Sequence, residues 1–212
     1  ISGQRKFWFG FKNTEKFLLS KNQDEILLGI LSRIGHVLKA SRVSYFQFNS
    51  TENTVSQKYR WLSESDAINT PNPILQNLPP EMFKLIMEKL LDNKPFNIIV
   101  RKLPDSEAKS FLQQIGSKSI LFIPIFIKET FYGILVFDDT SNEREWTNDE
   151  ISSLEILAKN ISYSFERNIN ETIIQESEEK FRLLANNIPG TVHLSRYDDK
   201  WTKIYLNDEI EK

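Results

Sequence analysis

Two apolar rhythms alternate along the chain and divide it into helices and strands. Between residues 22 and 38, Leu27, Leu31, Ile34 and Leu38 recur at helical spacing, widened by Ile26, Ile30 and Val37, with His36 on the opposite side. Asn22 and Glu25 have capping-box spacing, so the helix is expected to start there. The rhythm changes to alternation over residues 43–49 and 55–62, and the turn-rich stretch between them predicts a hairpin. Residues 63–80 read as loop, with Pro71, Pro73, Pro79 and Pro80. A helix over 80–91, a short strand over 96–100 and a helix capped by Asp105 and stopped by Gly116 follow.

The strongest strand signals are residues 119–127 and 131–137, on either side of a turn at 128–130. Both are apolar on both faces: Leu121, Ile123 and Ile125 point one way, Ile120, Phe122 and Phe126 the other. Such strands lie centrally in a sheet covered on both sides. Hairpin links make the sheet antiparallel, so the fold class is α+β, with helices on one face and loops and short helices on the other. The helices at 22–38 and 147–168 are expected to cover one face, and residues 63–115 the other. Thr147 and Glu150 form a second capping box, which opens the longest helical pattern of the chain: Ile151, Leu154, Ala158, Ile161, Phe165, Ile169 and Ile173. No breaker interrupts it before Pro189-Gly190, although the spacing drifts after Phe165. Residues 191–197 and 201–206 read as two strands. The expected plan is a linker or tail of an upstream element (1–21), a domain over 22–168, a helix over 147–188 shared with that domain, and an incomplete second domain over 189–212.

Composition narrows the chemistry. Charged residues make up 26% of the chain, and 27 basic against 29 acidic residues leave a net charge of −2. The basic residues are dispersed, so no nucleic-acid partner is expected. There is no cysteine, which excludes thiolate metal sites, disulfides, thiol nucleophiles and thioether-linked chromophores. With only 7 glycines there is no phosphate-cradling loop, and no Ser/His/Asp arrangement occurs. No catalytic residue and no metal site is therefore expected in the chain. Asp138-Asp139 follow a strand and read as turn residues. No apolar run approaches the ~20 residues of a membrane-spanning helix, so the segment reads as cytoplasmic, with membrane anchoring of a parent protein left open.

Residues 22–168 resemble a GAF domain. The resemblance rests on Arg42-Val43-Ser44-Tyr45-Phe46, Trp61, Leu75-Gln76-Asn77-Leu78, Leu103-Pro104, Lys118-Ser119-Ile120-Leu121, Pro124-Ile125, Gly133, Phe137-Asp138 and Trp146-Thr147. Residues 176–212 resemble the N-terminal part of a PAS domain, through Glu179-Lys180-Phe181-Arg182, Asn187-Ile188-Pro189-Gly190, Trp201 and Tyr205-Leu206-Asn207-Asp208. The pairing is similar to that in bacterial multidomain sensor histidine kinases. It implies a non-catalytic sensory input region that takes a signal from a small molecule or a neighbouring domain. The 147–188 helix would pass it to a catalytic domain in the same polypeptide. That domain is expected to be a histidine kinase of a two-component system, with a diguanylate cyclase as the alternative output. Neither His36 nor His193 sits in the sequence context of a phospho-acceptor histidine. A rival reading is a ligand-free dimerisation spacer.

The cofactor stays unknown. Bilin attachment in GAF domains uses a Cys that is absent here. The cyclic-nucleotide signature is met only in part, by Asn93-Lys94 and Phe96 without the following Asp-Glu, which argues against that ligand. Tyr45, Tyr59 and Trp61 form one strand-parity set that either lines an aromatic pocket or packs as plain core. With Phe96 they are the ligand-pocket candidates, the pocket being expected between residues 63–115 and the sheet. Ile161, Phe165, Ile169 and Ile173 are the candidates for a signalling and dimer-forming helix, and a homodimer is expected.

Overall fold

The structure is a computed structural model that describes residues 23–63, 67–69 and 71–207. The expected Asn22 cap and the 1–21 segment lie outside the described residues. Helix α1 (Gln23–Leu38) buries Ile26, Leu27, Ile30, Leu31, Ile34 and Leu38, the stripe that the spacing predicts. Val37, assigned to that stripe, is instead 40% exposed and lies beside the exposed His36. Strands β1 (Arg42–Asn49) and β2 (Thr54–Leu62) form the predicted hairpin.

Region 63–80 is not all loop: β3 (Ala67–Asn69) adds an edge strand to β2. Pro80–Phe83 make a 3₁₀ turn ahead of helix α2 (Lys84–Leu91). Strand β4 (Phe96–Ile99) precedes helix α3 (Glu107–Gln114). The α3 cap is Ser106, whose hydroxyl accepts from the Lys109 amide, and not Asp105, which pairs with the Lys109 side chain. Strands β5 (Ser119–Ile127) and β6 (Thr130–Asp139) are joined by Lys128 and Glu129, both at positive φ, as a tight hairpin turn requires. β6 thus runs on through Asp138 and Asp139, which are strand residues and not a turn.

The six strands are antiparallel neighbours in the order β3-β2-β1-β6-β5-β4. β1 and β6 approach so closely at Gly133 that a Cβ there would lie 2.4 Å from the Phe46 carbonyl oxygen. One sheet face packs on α1 and the first half of helix α4 (Asn148–Asn186), joining Val43, Trp61, Leu121, Ile123, Leu135 and Phe137 to Leu154, Leu157 and Ile161. The other face carries a second core, in which Phe46, Ile120, Phe122 and Ile134 meet Leu75, Ile86, Leu90, Val100 and Leu112. The alternation foreseen for residues 120–126 holds across these two layers.

Two bulges set which side chains reach which layer. Tyr45 pairs with Tyr59 but Phe46 with Gln57, which leaves Lys58 as an extra residue in β2. A similar shift at Ile125/Phe126 leaves Tyr132 extra in β6. Each bulge reverses the alternation along its strand.

Helix α4 spans 39 residues, about 58 Å at the usual rise. Its start is the predicted box: the Thr147 amide donates to Glu150 and the Glu150 amide to the Thr147 hydroxyl, at 2.9 and 3.3 Å. The described residues divide into two compact units, one up to Phe165 and one from Glu166 onward. In the second, strands β7 (His193–Ser195) and β8 (Lys203–Leu206) pair antiparallel. Asn207, 2% exposed, ties the helix end to this hairpin. Its amide donates to the Ala185 and Gly190 carbonyls and accepts from the Val192 amide.

Candidate functional site

A cavity of about 100 Å³ lies on the sheet face away from α1, under the segment that carries α2 and α3. Its floor includes Ser44, Phe46, Gln57, Ile120, Ile134 and Val136, and its cover Leu75, Phe83, Ile86, Met87, Phe111 and Leu112. Gln57 anchors the cover to the sheet. It is 2% exposed, its Nε2 donates to Ser44 Oγ at 3.0 Å, and its Oε1 accepts from the Asn72 amide at 2.8 Å. The 3₁₀ turn Pro73–Leu75 that follows Asn72 places Leu75 against the cavity.

A charged cluster forms one part of the wall. Arg42 on β1 and Asp138 on β6 face each other across the strand pair. Arg42 Nε donates to Asp138 Oδ2 at 2.8 Å, and its terminal nitrogen contacts the same oxygen. The guanidinium also donates to Ser117 Oγ and, at 3.0 Å, to the Ile115 carbonyl at the C-terminal end of α3. Ser117 Oγ in turn donates to Asp138 Oδ2 at 2.8 Å. Arg42 therefore ties the sheet to the end of α3, and Asp138 Oδ2 takes both Arg42 and Ser117. The other oxygen, Oδ1, is buried and has no hydrogen-bond partner, although Asp138 is only 5% exposed. Burial pushes the Asp138 carboxyl above the ordinary aspartate value, against the opposing pull of Arg42 and Ser117. Arg60 on β2 also lines the cavity, and its Nε is buried without a partner.

Tyr45, Tyr59 and Trp61, named as pocket residues from their shared parity, do share a face, but it is the helix-covered one. Tyr45 and Trp61 are 3% and 1% exposed in the core under α1 and α4, and Tyr59 packs against that core. The Lys58 bulge is the reason: it leaves Val55 and Gln57 on the cavity side and turns Tyr59 and Trp61 to the other. The Tyr45 hydroxyl is buried without a partner there, and burial raises its pKa. Trp61 also borders an open polar groove of about 320 Å³ with His36, Lys39 and Asp139. Asp139 Oδ1 is already taken up by the Ser141 and Asn142 amides of the adjoining turn. Phe96 packs beside Phe122 in the cavity-side core, with ring centroids 6.5 Å apart, but does not line the cavity.

The helix candidates divide as well. Ile161 is 1% exposed in the core of the first unit, and Phe165, partly buried, packs on Tyr45 and Tyr132 of that core. Ile169 and Ile173 are 39% and 58% exposed. The functional groups missed from sequence are Arg42, Gln57, Arg60 and Asp138. One signal was present: Ser44 and Gln57 fall at strand positions that share a face with the apolar Phe46 and Val55, and Asp138 ends an otherwise apolar run on β6, where a buried polar group needs a partner.

The model of the GAF domain family matches residues 22–165, and the chain belongs to that family. It is 33% identical over 154 residues to the methanogenesis regulatory histidine kinase FilI of Methanothrix harundinacea (strain 6Ac). The matched stretch is 71% of this chain and 17% of that protein. Among solved structures, the phycoerythrobilin-bound GAF domain of a cyanobacterial phytochrome superposes with a TM-score of 0.64 at 15% identity, over 81% of this chain and 97% of that one. A domain of a putative two-component sensor histidine kinase protein from Sinorhizobium meliloti 1021 gives 0.56 at 16% identity, over 74% and 99%. These structural likenesses concern the fold. Homology to FilI supports a sensory input role. No described helix is long and apolar enough to cross a membrane.

Proposed function

We propose that this chain is the cytoplasmic input region of a two-component sensor histidine kinase, in which the GAF domain binds a small molecule and biases a catalytic domain farther along the same polypeptide. The observation that carries the reading is the cavity. It is apolar, it is covered by short helices and loops, and buried polar atoms without partners stand in its wall. A protein interior seldom leaves such atoms unmatched, and a pocket of this composition is the usual form of a ligand site. Helix α4 supports the relay, because its N-terminal half is built into the sensor core and the same backbone continues to Asn186. The resemblance of residues 176–212 to a PAS domain extends the reading to a second module after the helix. A diguanylate cyclase is the alternative output.

The sensor reading is tested in the full-length parent with Met87→Phe, which narrows the cavity with a stiffer apolar side chain. Output that no longer follows the stimulus, with the fold intact, is the expected result. A normal response would favour the rival reading, a ligand-free spacer. The parent is proposed to act as a homodimer: Ile169, Ile173 and Ile174 are 39%, 58% and 56% exposed, and a parallel two-helix contact would bury them. Sedimentation should give a dimer that Ile173→Glu dissociates, and a wild-type monomer at high concentration would overturn this.

A further inference from the structure

The chemical class of the ligand can be read from the cavity wall, an inference that rests on the sensor reading above. Two buried polar atoms there lack partners: the acceptor Asp138 Oδ1 and the donor Arg60 Nε. They stand on the strands that flank β1. Asp138 is opposite Arg42, Arg60 is opposite Ser44, and the four residues share the cavity face. Two strand spacings across and two residues along put their Cα atoms about 12 Å apart, a gap that the two side chains and a small molecule together can span. Charge adds a second constraint. Arg42 and Asp138 neutralise each other, while Arg60 makes no ion pair with any described residue, so among the described residues the wall carries one unmatched positive charge. Size adds a third. A cavity of 150 Å³ accommodates benzene, with its six non-hydrogen atoms, so one of about 100 Å³ suits a ligand of roughly four to five.

We infer that the cavity takes a short aliphatic monocarboxylate bearing one hydrogen-bond donor, with its carboxylate on Arg60, its hydroxyl or amine on Asp138 Oδ1 and its carbon chain among Phe46, Ile86, Met87 and Ile134. A bilin or a nucleotide is several times too large for this volume. Charge balance favours the hydroxy acid over the amino acid, because its single negative charge matches the excess on the wall.

A matched set of probes separates the contributions: glycolate, glycine, acetate and ethanol, each titrated into the isotope-labelled 212-residue chain and followed by NMR. Glycolate is expected to shift resonances of the cavity wall and to bind about tenfold tighter than acetate or ethanol, since each of these lacks one charge-assisted hydrogen bond. The Asp138 carboxyl midpoint should fall on binding, because a donor favours the ionised form. Arg60→Gln alters a half-buried side chain and should erase the advantage over ethanol. Acetate or ethanol binding in the cavity as tightly as glycolate would overturn the assigned class and leave the sensor reading standing. Tighter binding of glycine would overturn the charge argument alone. Cavity-wall resonances unmoved by every probe would overturn the assigned class, and the Met87→Phe response would still decide the sensor reading.

Discussion

Gly29 and Gly35 lie on the same helix, and the same substitution should move stability in opposite directions at the two. Glycine in a helix interior costs roughly 0.5–1 kcal/mol relative to alanine. A Cβ at Gly29 meets nothing within 4 Å, so Gly29→Ala should stabilise by about that amount. A Cβ at Gly35 falls 2.1 and 2.2 Å from Trp61 Cζ3 and Cε3. Ordinary carbon contacts lie near ~3.5–4.0 Å, so the indole would have to retreat by roughly 1.5 Å. Its retreat is resisted, because it is 1% exposed and packed against the sheet core with its ring centroid 4.9 Å from that of His36, and a shift toward the open groove would give up that packing. Overpacking of this kind costs typically ~1–3 kcal/mol and outweighs the helix-propensity gain. In a domain of this size 1 kcal/mol moves the melting midpoint by about 2–4 °C. Gly29→Ala should therefore raise Tm by about 2 °C and Gly35→Ala lower it by about 3–5 °C, read by circular dichroism and, for Gly35→Ala, by altered tryptophan fluorescence. Equal effects from the two variants would mean that Trp61 does not sit under α1, and the assignment of Tyr59 and Trp61 to the helix face would fail with it.

Three further predictions rest on separate contacts. Carbon NMR should place the Asp138 carboxyl midpoint above the usual aspartate value and those of Asp105 and Asp198 below it, the latter two lowered by the Lys109 side chain and by the Thr202 amide and hydroxyl. Because native Asp138 holds its proton more tightly than the unfolded chain does, its contribution to stability falls as pH rises from about 4 through its raised midpoint, and Asp138→Asn should flatten that slope. Asn207→Ala removes the bonds from its side-chain amide to the Ala185 and Gly190 carbonyls and strands the Val192 amide, so hydrogen exchange over 185–207 should speed by the equivalent of about 2–3 kcal/mol; unchanged exchange would show that Asn207 does not hold the hairpin. Asn170→Pro in the full-length parent costs α4 about 3 kcal/mol, against a typical coupling of about 1–3 kcal/mol. It should uncouple stimulus from output while the unit ending at Phe165 stays folded, and a normal response would mean that the signal does not travel along the helix.

What the sequence determined by itself was set by local and periodic information. The apolar stripe of α1, the capping box at Thr147 and Glu150, the β5–β6 hairpin and the need to cover both sheet faces could each be read within a short window, because spacing and turn chemistry are properties of neighbours in the chain. The Asp105 cap failed because two adjacent residues both suit that position, and backbone geometry selected Ser106. The site needed more than neighbours. Tyr45, Tyr59 and Trp61 were rightly grouped, but parity says only which side chains lie together, not which layer will cover them. In β2 a single extra residue, Lys58, reversed the alternation between Gln57 and Tyr59, and a bulge leaves no mark in the hydrophobic pattern. Arg42, Ser117 and Asp138 come from three segments of the chain, and only the register of β1 against β6, with α3 docked beside them, brings them into one hydrogen-bonded cluster. Asp138 looked like a turn residue in sequence because its neighbours on β1 and after α3 are distant in the chain. Its burial, its one satisfied oxygen and its one unmatched oxygen are properties of the tertiary structure alone.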